Sequence, residues 1–383
     1  MRFPEFTEEW KAEQLDNIAT LSKGIGISKE QLSEDGEPCI LYGELYTKYK
    51  SEIIKQVESK TDINGSKLKR SKANDVIIPC SGETAVDIAT ARCVPFDNIL
   101  FGGDLNVISL HQYDGAFMSY QLNGKRKYDI ARVAQGVSIV HLYGEHLKAI
   151  KTYNPTLPEQ QKIAKLLSLL DDRIDTQNKI IEDLKKLKSA IIEKEYTHKT
   201  KSNSHIGDFI EQTSKRNKNR AIQNVLSVSN RQGFIQQSEQ FENRSVASDD
   251  TSSYKIVKKN NFAFNPARIN VGSIARLTTF DRGIVSPMYI CFRTKDTLFP
   301  EYLDYYFETK QFFTEIQKRL EGSVRQCLSF EGLCNIPLCI PTIEVQQQVG
   351  KQLSTLVQEI KLEIDFLELL QRQKKFLLHQ MFI

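Results

Sequence analysis

The chain contains 383 residues, which corresponds to two or three domains at about 150 residues per domain. Its 52 basic and 48 acidic side chains leave a formal net charge of +4, and 40% of its residues are hydrophobic, enough for folded cores. The sequence has no run of about 18 apolar residues and no apolar segment typical of a signal peptide, so we expect a cytoplasmic protein without a membrane partner.

The first predicted elements are short strands within a globular part at residues 1–151. Apolar runs bounded by Gly, Pro, Asn and Asp predict strands at Val76–Pro79, Asn98–Phe101 and Leu105–Leu110. A long helical pattern follows, from about residue 159 to 196, after Pro155 and Pro158. At 1.5 Å per residue this helix would be about 55 Å long.

A second globular part at residues 198–337 has the same mixed α/β character. Its predicted strands are Asn261–Phe264, Ser273–Leu277 and Met288–Arg293. Pro300–Leu320 is predicted as one helix, because Leu303, Phe307, Phe312 and Ile316 are spaced for one buried face. A second long helical pattern follows Pro341.

The two long helical segments are copies of each other. The sequence from Pro155, PTLPEQQKIAKLLSLLDDRI, aligns without a gap with PTIEVQQQVGKQLSTLVQEI from Pro341, so equivalent positions differ in number by 186. The same offset relates Gly136 to Gly322 and Leu142 to Leu328 in the globular parts. The sequence therefore predicts a tandem repeat of a globular part followed by a helix. Because the helices stayed alike while the globular parts diverged, we expect the globular parts to have different tasks.

Apolar residues recur along both helical copies at alternating steps of four and three, which is typical of a coiled-coil seam. The candidate helix-pairing residues are Ile163, Leu167, Leu170, Ile174, Ile181 and Leu184 in the first copy and Val349, Leu353, Leu356, Ile360, Leu367 and Leu370 in the second. We expect the helices to pair with each other, although each could instead pack only on its own globular part. An antiparallel pair about a pseudo-twofold axis would place Lys188 opposite Glu363 and Gln177 opposite Lys374.

Basic and amide side chains cluster in loops of both globular parts. The clusters are Lys67–Lys72, Lys125–Lys127, Lys215–Arg220, Lys258–Asn261, Arg268–Asn270 and Ser323–Gln326. One such cluster is usually a solvated loop, but six in a chain of nearly balanced charge favour a nucleic-acid face. Arg, Asn and Gln are also side chains that read purine edges in the major groove.

No motif in the sequence supports catalysis. The chain lacks a G-x-x-x-x-G-K-[ST] loop, and Asn265-Pro-Ala-Arg268 lacks the aromatic residue of the similar N-P-P-aromatic motif of DNA amino-methyltransferases. The six histidines and seven cysteines show no metal-ligand spacing. Asp171 and Asp172 are interpreted as a solvated helix face. We therefore expect no catalytic residue, no metal and no cofactor in this chain.

The sequence resembles type I restriction-modification specificity subunits. The residues that carry the resemblance are Phe6–Trp10, Leu15–Ile18, Pro155–Ala164, Leu170–Ile174, Gly322–Ser329 and Ile340–Gln347. Val345 and Gly350 stand where the first copy has Glu159 and Ala164, which makes the second helix start less typical of the family. The resemblance implies an α/β fold with a pseudo-twofold tandem repeat. Two globular α/β target-recognition domains, residues 1–151 and 198–337, would be joined by two long antiparallel coiled-coil helices, residues 152–197 and 338–383.

The resemblance also implies a non-catalytic subunit that binds double-stranded DNA. Each target-recognition domain would read one half of a split sequence, and the helices would set the separation of the two halves. Two methyltransferase subunits, which bind AdoMet and methylate adenine, would dock on the helices, and restriction/translocase subunits would join them. A coiled-coil scaffold and a stand-alone DNA-modifying enzyme with a degenerate site remain alternatives.

Loop position, basicity and repeat equivalence indicate which residues would contact DNA. The candidates are Lys69, Arg70, Ser81, Thr84 and Arg126 in the first globular part and Arg216, Asn265, Arg268, Asn270, Arg325 and Gln326 in the second.

Overall fold

The structure of the protein is a computed structural model that describes residues 2–64, 67–196, 204–230, 232–237, 250–322 and 326–382. The chain divides into two compact units. Unit 1 comprises Met1–Ile180 and Glu363–Ile383, and unit 2 comprises Ile181–Leu362. Each unit therefore takes one globular part and a portion of each long helix. None of the helices in these ranges is long and apolar enough to cross a membrane.

The described residues of unit 1 form short strands arranged in four sheets. The strands are β1 (Lys11–Gln14), β2 (Ala19–Lys23), β3 (Glu37–Ile40), β4 (Ser59–Thr61), β5 (Lys69–Arg70), β6 (Asp75–Pro79), β7 (Ser81–Gly82), β8 (Arg92–Val94), β9 (Leu100–Phe101), β10 (Leu105–Leu110), β11 (Val140–His141) and β12 (Lys151–Asn154). Two sheets have four strands, in the orders β2-β10-β6-β8 and β4-β3-β9-β5, and β1-β12 and β7-β11 are two-stranded ribbons. All pairs are antiparallel except β3 with β9.

Most short helices of unit 1 cover one face of the sheet β2-β10-β6-β8, whereas Leu45 of the helix Glu44–Thr47 packs with Ile77 on the other face. The helices of unit 1 are α1 (Leu15–Ile18), α2 (Glu44–Thr47), α3 (Ala85–Ile88), α4 (Gly115–Asn123), α5 (Lys127–Val133), α6 (Gly144–Lys148) and the first part of α7 (Leu157–Tyr196). Alternate residues of β6 enter two cores: Val76 and Ile78 join Met118 of α4, whereas Ile77 joins Phe101. Both faces of the sheet are buried, which explains the continuous apolar run in β6.

Unit 2 repeats this plan with fewer strands among its described residues. The strands are β13 (Ile210–Thr213), β14 (Leu226–Ser229), β15 (Gly233–Gln236), β16 (Lys255–Lys258), β17 (Phe262–Phe264), β18 (Ile274–Arg276), β19 (Arg282–Val285) and β20 (Ile290–Thr294). The helices are α8 (Ile206–Phe209), α9 (Pro300–Tyr306), α10 (Lys310–Gln317), α11 (Phe330–Cys334) and α12 (Ile343–Gln380). The main sheet has the order β13-β20-β17-β18, and β14-β15 and β16-β19 are ribbons.

The predicted strands are found, but the prediction of one helix over Pro300–Leu320 is wrong. Helix α9 ends at Tyr306, and α10 begins at Lys310. The Thr309 hydroxyl accepts a hydrogen bond from the backbone N–H of Phe312 at 3.0 Å. A threonine in this N-cap position satisfies a free backbone donor, so it starts a new helix where apolar spacing alone predicted continuity.

The repeat predicted from the sequence is confirmed by the fold. The strand order β2-β10-β6-β8 of unit 1 corresponds to β13-β20-β17-β18 of unit 2. Helix α6 begins at Gly144 and α11 at Phe330, and the long helices begin at Leu157 and Ile343. Both pairs of helix starts are therefore related by the same offset as the repeated sequences.

A glutamine in the first turn of each long helix ties that helix to its globular domain. Gln160, which is buried, accepts from the backbone N–H of Asp114 at 2.9 Å and donates to the Pro155 carbonyl at 2.8 Å. Its repeat equivalent Gln346 accepts from the N–H of Phe299 at 2.8 Å and donates to the Pro341 carbonyl at 2.9 Å. The repeated PT…QQ sequence therefore encodes a repeated structural anchor.

The two long helices are antiparallel, as predicted. In unit 1, Ile163 and Leu167 lie near the start of α7. They share a core with Leu377 in the last turns of α12 and with Met381, which directly follows that helix. In unit 2, Ile192 near the end of α7 shares a core with Val349 and Leu353 near the start of α12. All the predicted helix-pairing residues are buried or half-buried, and the paired helices join the two α/β domains.

The predicted register of the polar seam residues is wrong. Gln177 donates to the backbone carbonyl of Glu363 at 3.0 Å, and these two residues are repeat equivalents. A twofold axis through an antiparallel pair brings equivalent positions together, which explains this contact. The lysines are directed to other partners: Lys188 binds Glu308 at 2.7 Å and Lys374 binds Glu52 at 2.5 Å.

The interpretation of Asp171 as part of a solvated helix face is also wrong. Asp171 is buried, and its carboxylate lies 2.5 Å from the Lys374 ammonium and accepts from the Tyr120 hydroxyl at 2.7 Å. Asp172 is exposed and pairs with Lys55 at 2.7 Å. The apolar spacing of the helix could not show that Asp171 is buried and Asp172 exposed. Asp171 is buried because α4 and α12 pack over it, and not by the predicted seam alone.

Candidate nucleic-acid interface

Each globular domain presents a pair of adjacent loops held by the same backbone hydrogen bonds. In unit 1, the connecting loop (residues 80–91) links β6 to β8, and the tip hairpin (Gln135–His141) lies beside it. The N–H of Leu142 donates to the Cys80 carbonyl at 2.8 Å. Gln135 and His141 exchange two backbone bonds, of 2.9 and 2.7 Å, which close the hairpin.

Unit 2 has the same arrangement at the repeat-equivalent positions. Its connecting loop (residues 265–273) links β17 to β18, and the N–H of Leu328 donates to the Pro266 carbonyl at 3.0 Å. Glu321 and Cys327 exchange two backbone bonds of 2.9 Å and mark the described ends of its tip hairpin, since residues 323–325 lie outside the described residues. Gly136 and Gly322 occupy equivalent places with φ of 122° and 102°, a conformation that favours glycine. The loop pair is thus a duplicated scaffold that carries different side chains.

In unit 1 the loop pair borders a cleft of about 740 Å³. Helix α2 contributes Tyr46, the connecting loop contributes Ser81 and Asp87, and the tip hairpin contributes Ile139. The Tyr46 hydroxyl donates to the Ser81 carbonyl at 3.1 Å, and burial raises the pKa of this phenol, so it stays a neutral donor. Burial also raises the pKa of the Cys80 thiol to about 11, which keeps it protonated and unreactive at neutral pH.

Two of the predicted DNA-binding residues of unit 1 lie in the connecting loop. Ser81 lines the cleft, and Thr84 is exposed while its hydroxyl caps α3 by accepting from the N–H of Asp87 at 3.1 Å. Their contact with DNA stays a prediction.

The basic residues predicted for unit 1 belong to other elements. Lys69 and Arg70 form strand β5, where Arg70 binds Glu37 at 2.6 Å and thereby holds the pKa of that carboxyl below its usual range. Arg126 stacks its guanidinium 5.2 Å from the centre of the Tyr153 ring. These three residues were predicted to bind DNA because they are basic, and charge alone does not show which element of the fold a residue belongs to.

The predicted residues of unit 2 lie in both of its loops. Asn265 is buried and shapes the connecting loop, because its side-chain oxygen accepts from the N–H of Ala267 at 3.1 Å. Arg268 is exposed and Asn270 half-buried in the same loop. Gln326 is exposed in the tip hairpin, and Arg325 lies outside the described residues. Arg268 and Gln326 are therefore better placed than Asn265 to meet a ligand.

Unit 2 also has a concave surface, which we name the basic cleft. Its volume is about 810 Å³. Its lining includes the predicted residue Arg216 together with Lys215, Lys218 and Arg282, and none of the four forms an ion pair within the described ranges. Asn217 shapes the loop that carries the first three, because its buried side chain donates to the Ile222 carbonyl at 2.9 Å.

Sequence reasoning singled out only one of the four cations of the basic cleft. Lys215 and Lys218 were visible in the run Lys215–Arg220, but Arg282 was not. Strand β19 begins at Arg282, which pairs with Lys258 of β16, whereas the backbone of Lys215 binds that of Ile256 at 2.8 Å. Only this strand pairing brings Arg282 to the loop.

Comparisons with known proteins agree with the duplicated architecture. Residues 7–186 match the family model "Type I restriction modification DNA specificity domain". Over 218 residues the chain is 27% identical to the "Type I restriction enzyme MjaVIII specificity subunit" of Methanocaldococcus jannaschii. In sequence, the chain is therefore similar to type I restriction-modification specificity subunits over about half of its length. That alignment covers 53% of this chain and 47% of the relative, so the match spans about half the length of the curated protein.

Two solved structures share the fold over all or nearly all of this chain. The S subunit of a type I restriction-modification system from M. genitalium has a TM-score of 0.61 at 16% identity, covering 100% of this chain and 97% of the other. A chain from a structure described as the basis of complex assembly and conformational transition of the type I R-M system has a TM-score of 0.56 at 13% identity. That comparison covers 97% of both chains.

Proposed function

We propose that this protein is the DNA-recognition subunit of a type I restriction-modification complex. It binds double-stranded DNA at a split sequence, and each globular domain reads one half through its connecting loop and tip hairpin. The duplicated loop pair carries this proposal: the same backbone bonds recur at repeat-equivalent positions and display different side chains. A reader of two unlike half-sites requires such a constant scaffold with variable side chains.

The basic cleft supplies the contacts that would hold the DNA backbone. Lys215, Arg216, Lys218 and Arg282 line it without carboxylate partners in the part of the chain that the structure describes. Cations that neutralise phosphates release condensed counterions, so they contribute affinity that does not depend on sequence. In this proposal the basic cleft contacts phosphates and positions the DNA, whereas the loop pairs contact bases and determine specificity.

The long helices provide the surface for partner subunits. Besides their buried seam, they expose large apolar side chains, among them Leu169, Leu369 and Phe376, which are 51%, 59% and 54% exposed. Leu369 and Phe376 are seven residues apart in α12 and so lie on one face of the helix, and a contiguous exposed apolar patch marks a docking site for another protein. We assign this surface to two methyltransferase subunits, which bind AdoMet and methylate adenine, and we expect restriction/translocase subunits to join them. This chain itself then needs neither a catalytic residue nor a cofactor.

The salt dependence of DNA binding tests the role of the basic cleft. With the full chain bound to its methyltransferase subunits, Arg216→Ala and Arg282→Ala should each weaken binding to all duplexes alike. Each change should lower the slope of log affinity against log salt concentration by about 1. Lys318→Ala is the matched control, because Lys318 is exposed, pairs with Glu315 and lies outside the cleft.

The same binding measurements separate the proposed function from its alternatives. Unchanged slopes in both cleft variants would remove the phosphate contacts from the proposal. A wild-type complex with no sequence-dependent binding would instead indicate a coiled-coil scaffold. Methylation or cleavage of DNA by the purified chain alone would indicate a stand-alone enzyme.

A further inference from the structure

Three polar side chains of unit 1 meet where the connecting loop borders the tip hairpin. The Ser81 hydroxyl oxygen lies 3.4 Å from Oδ2 of Asp104 and 3.3 Å from Nδ1 of His141. Asp104 and His141 are exposed, and Ser81 is half-buried. Since Asp104 approaches Ser81 and not the imidazole, the group has the wrong order for an activated serine nucleophile, which requires the histidine between the other two.

The backbone fixes the positions of all three residues. Ser81 and His141 are directly paired in the ribbon β7-β11. The N–H of Cys80 donates to the Asp104 carbonyl at 2.7 Å, and Asp104 adopts a left-handed conformation, φ 59°, in the turn between β9 and β10. The side chains are therefore brought together by strand pairing and not by chance rotation of surface groups.

The carboxylate determines how protons are arranged in this group. An ionised Asp104 can only accept, so the Ser81 hydroxyl donates to it. The Ser81 oxygen is then free to accept from Nδ1–H of His141, and in that tautomer the imidazole keeps its lone pair on Nε2. His141 consequently offers a hydrogen-bond acceptor at the other nitrogen of its ring.

An aromatic neighbour orients the imidazole. The ring of Tyr143 stacks on that of His141 with centroids 6.2 Å apart and an interplanar angle of 25°. The ammonium of Lys23 lies 5.8 Å from the centre of the Tyr143 ring, and Tyr143 itself is 45% exposed. A stacked ring with a fixed tautomer and a nearby cation suits contact with a polar, negatively charged polymer.

Unit 2 shows that the fold does not need this group. At the repeat-equivalent positions, Ala267 stands for Ser81 and Cys327 for His141, and the strand registers place Met288 where unit 1 has Asp104. The connecting loop and tip hairpin of unit 2 nevertheless keep the same backbone bonds. The loop scaffold therefore does not depend on the Asp104–Ser81–His141 group. The group is one of the features in which the loop pair of unit 1 differs from that of unit 2.

We propose that His141 reads a base of the half-site bound by unit 1. Its Nε2 accepts a hydrogen bond from an exocyclic amino group in the major groove, that of adenine N6 or cytosine N4. Ser81 and Asp104 act as positioning residues that select the accepting tautomer. This inference rests on the proposed DNA-recognition function and extends it to one class of base.

Mapping methylated adenines in cellular DNA tests the inference. The full chain, co-expressed with its methyltransferase subunits, is compared with His141→Ala. The variant should lose preference at one base pair of one half-site by roughly 2- to 12-fold, which corresponds to about 0.5–1.5 kcal/mol for a single hydrogen bond. The other half-site and the melting temperature should stay unchanged. His111→Ala is the matched control, because His111 is an exposed histidine of the same unit that contacts Thr20.

Asp104→Asn distinguishes a base contact from a structural role. An amide at position 104 can either accept from Ser81 or donate to it, so His141 no longer has one favoured tautomer. Preference at the same base pair should then relax to include guanine or thymine, which present acceptors in the major groove. A His141→Ala variant that keeps every base preference, or that loses stability together with all methylation, overturns the inference. Absence of any sequence preference in the wild-type complex overturns the proposed function instead.

Discussion

At the scale of single residues, a buried group of charged side chains links the end of α12 to the first globular domain. Lys374 lies 2.5 Å from both Glu52 and Asp171 in unit 1. Burial raises the pKa of Glu52, and the ammonium of Lys374 opposes this shift. Since the three side chains have little access to water, each charge depends on the others for compensation.

Replacing Lys374 by methionine should therefore destabilise the protein strongly. The Lys374→Met variant leaves two buried carboxylates without their cation, and loss of one partner from a buried ion pair costs about 3–5 kcal/mol. Denaturant unfolding of the full chain measures this change. Lys375→Met is the control, because Lys375 is an exposed neighbour on the same helix. Equal stability of the two variants would show that the buried charges are compensated by other groups.

At the scale of elements, each long helix has two apolar surfaces with different tasks. Leu170 of α7 is 9% exposed and lies in the predicted seam, whereas its neighbour Leu169 is 51% exposed. On the second helix, Leu370 is 3% exposed and Leu369 59%. The buried leucines stabilise the fold, and the exposed ones are available for partner subunits under the proposed function.

The neighbours Leu169 and Leu170 should respond differently to truncation. Leu170→Ala should lower the free energy of unfolding by about 2–5 kcal/mol, because it creates a cavity in a packed seam. Leu169→Ala should change it by no more than about 0.5 kcal/mol, as expected for a surface site. Thermal unfolding of both variants measures the contrast. A comparable loss from both would mean that the seam assignment on α7 is displaced by one residue.

At the scale of the whole molecule, the chain consists of one unit used twice with different loops. The helix starts, the glutamine anchors and the loop-closing bonds recur at one offset, whereas the side chains of the connecting loops do not. Under the proposed function, the constant helices would provide the same assembly surface in each copy, and the variable loops would allow each copy to bind a different sequence.

Exchanging one globular domain should therefore change one half of the recognised sequence. Under the proposed function, residues 1–151 replaced by the corresponding domain of a type I specificity subunit should alter one half-site and preserve the other, because the loops proposed to read the second half are untouched. Mapping of methylated adenines measures the outcome, and exchange of residues 198–337 is the reciprocal control. A change in both halves after one exchange would contradict independent reading by the two domains.

The sequence alone determined the duplication, the long helices and most strands of the main sheets. These features depend on local patterns: a gapless repeat from Pro155 and Pro341, a heptad spacing, and apolar runs such as Val76–Pro79 that are buried on both sides. The sequence also predicted that Ser81 and Arg268 lie in loops, while their contact with DNA stays a prediction. Their location in connecting loops follows from the strand order that the repeat preserves.

Only the tertiary structure decided which distant side chains meet. His141 is paired with Ser81 across 60 positions, Arg282 reaches the basic cleft through β19, and Lys188 binds Glu308 and not a residue of the opposite helix. Such contacts depend on strand register and on the reach of long side chains, and neither leaves a periodic pattern in the sequence. Local chemistry specified the scaffold, whereas long-range packing placed the side chains of the candidate interface.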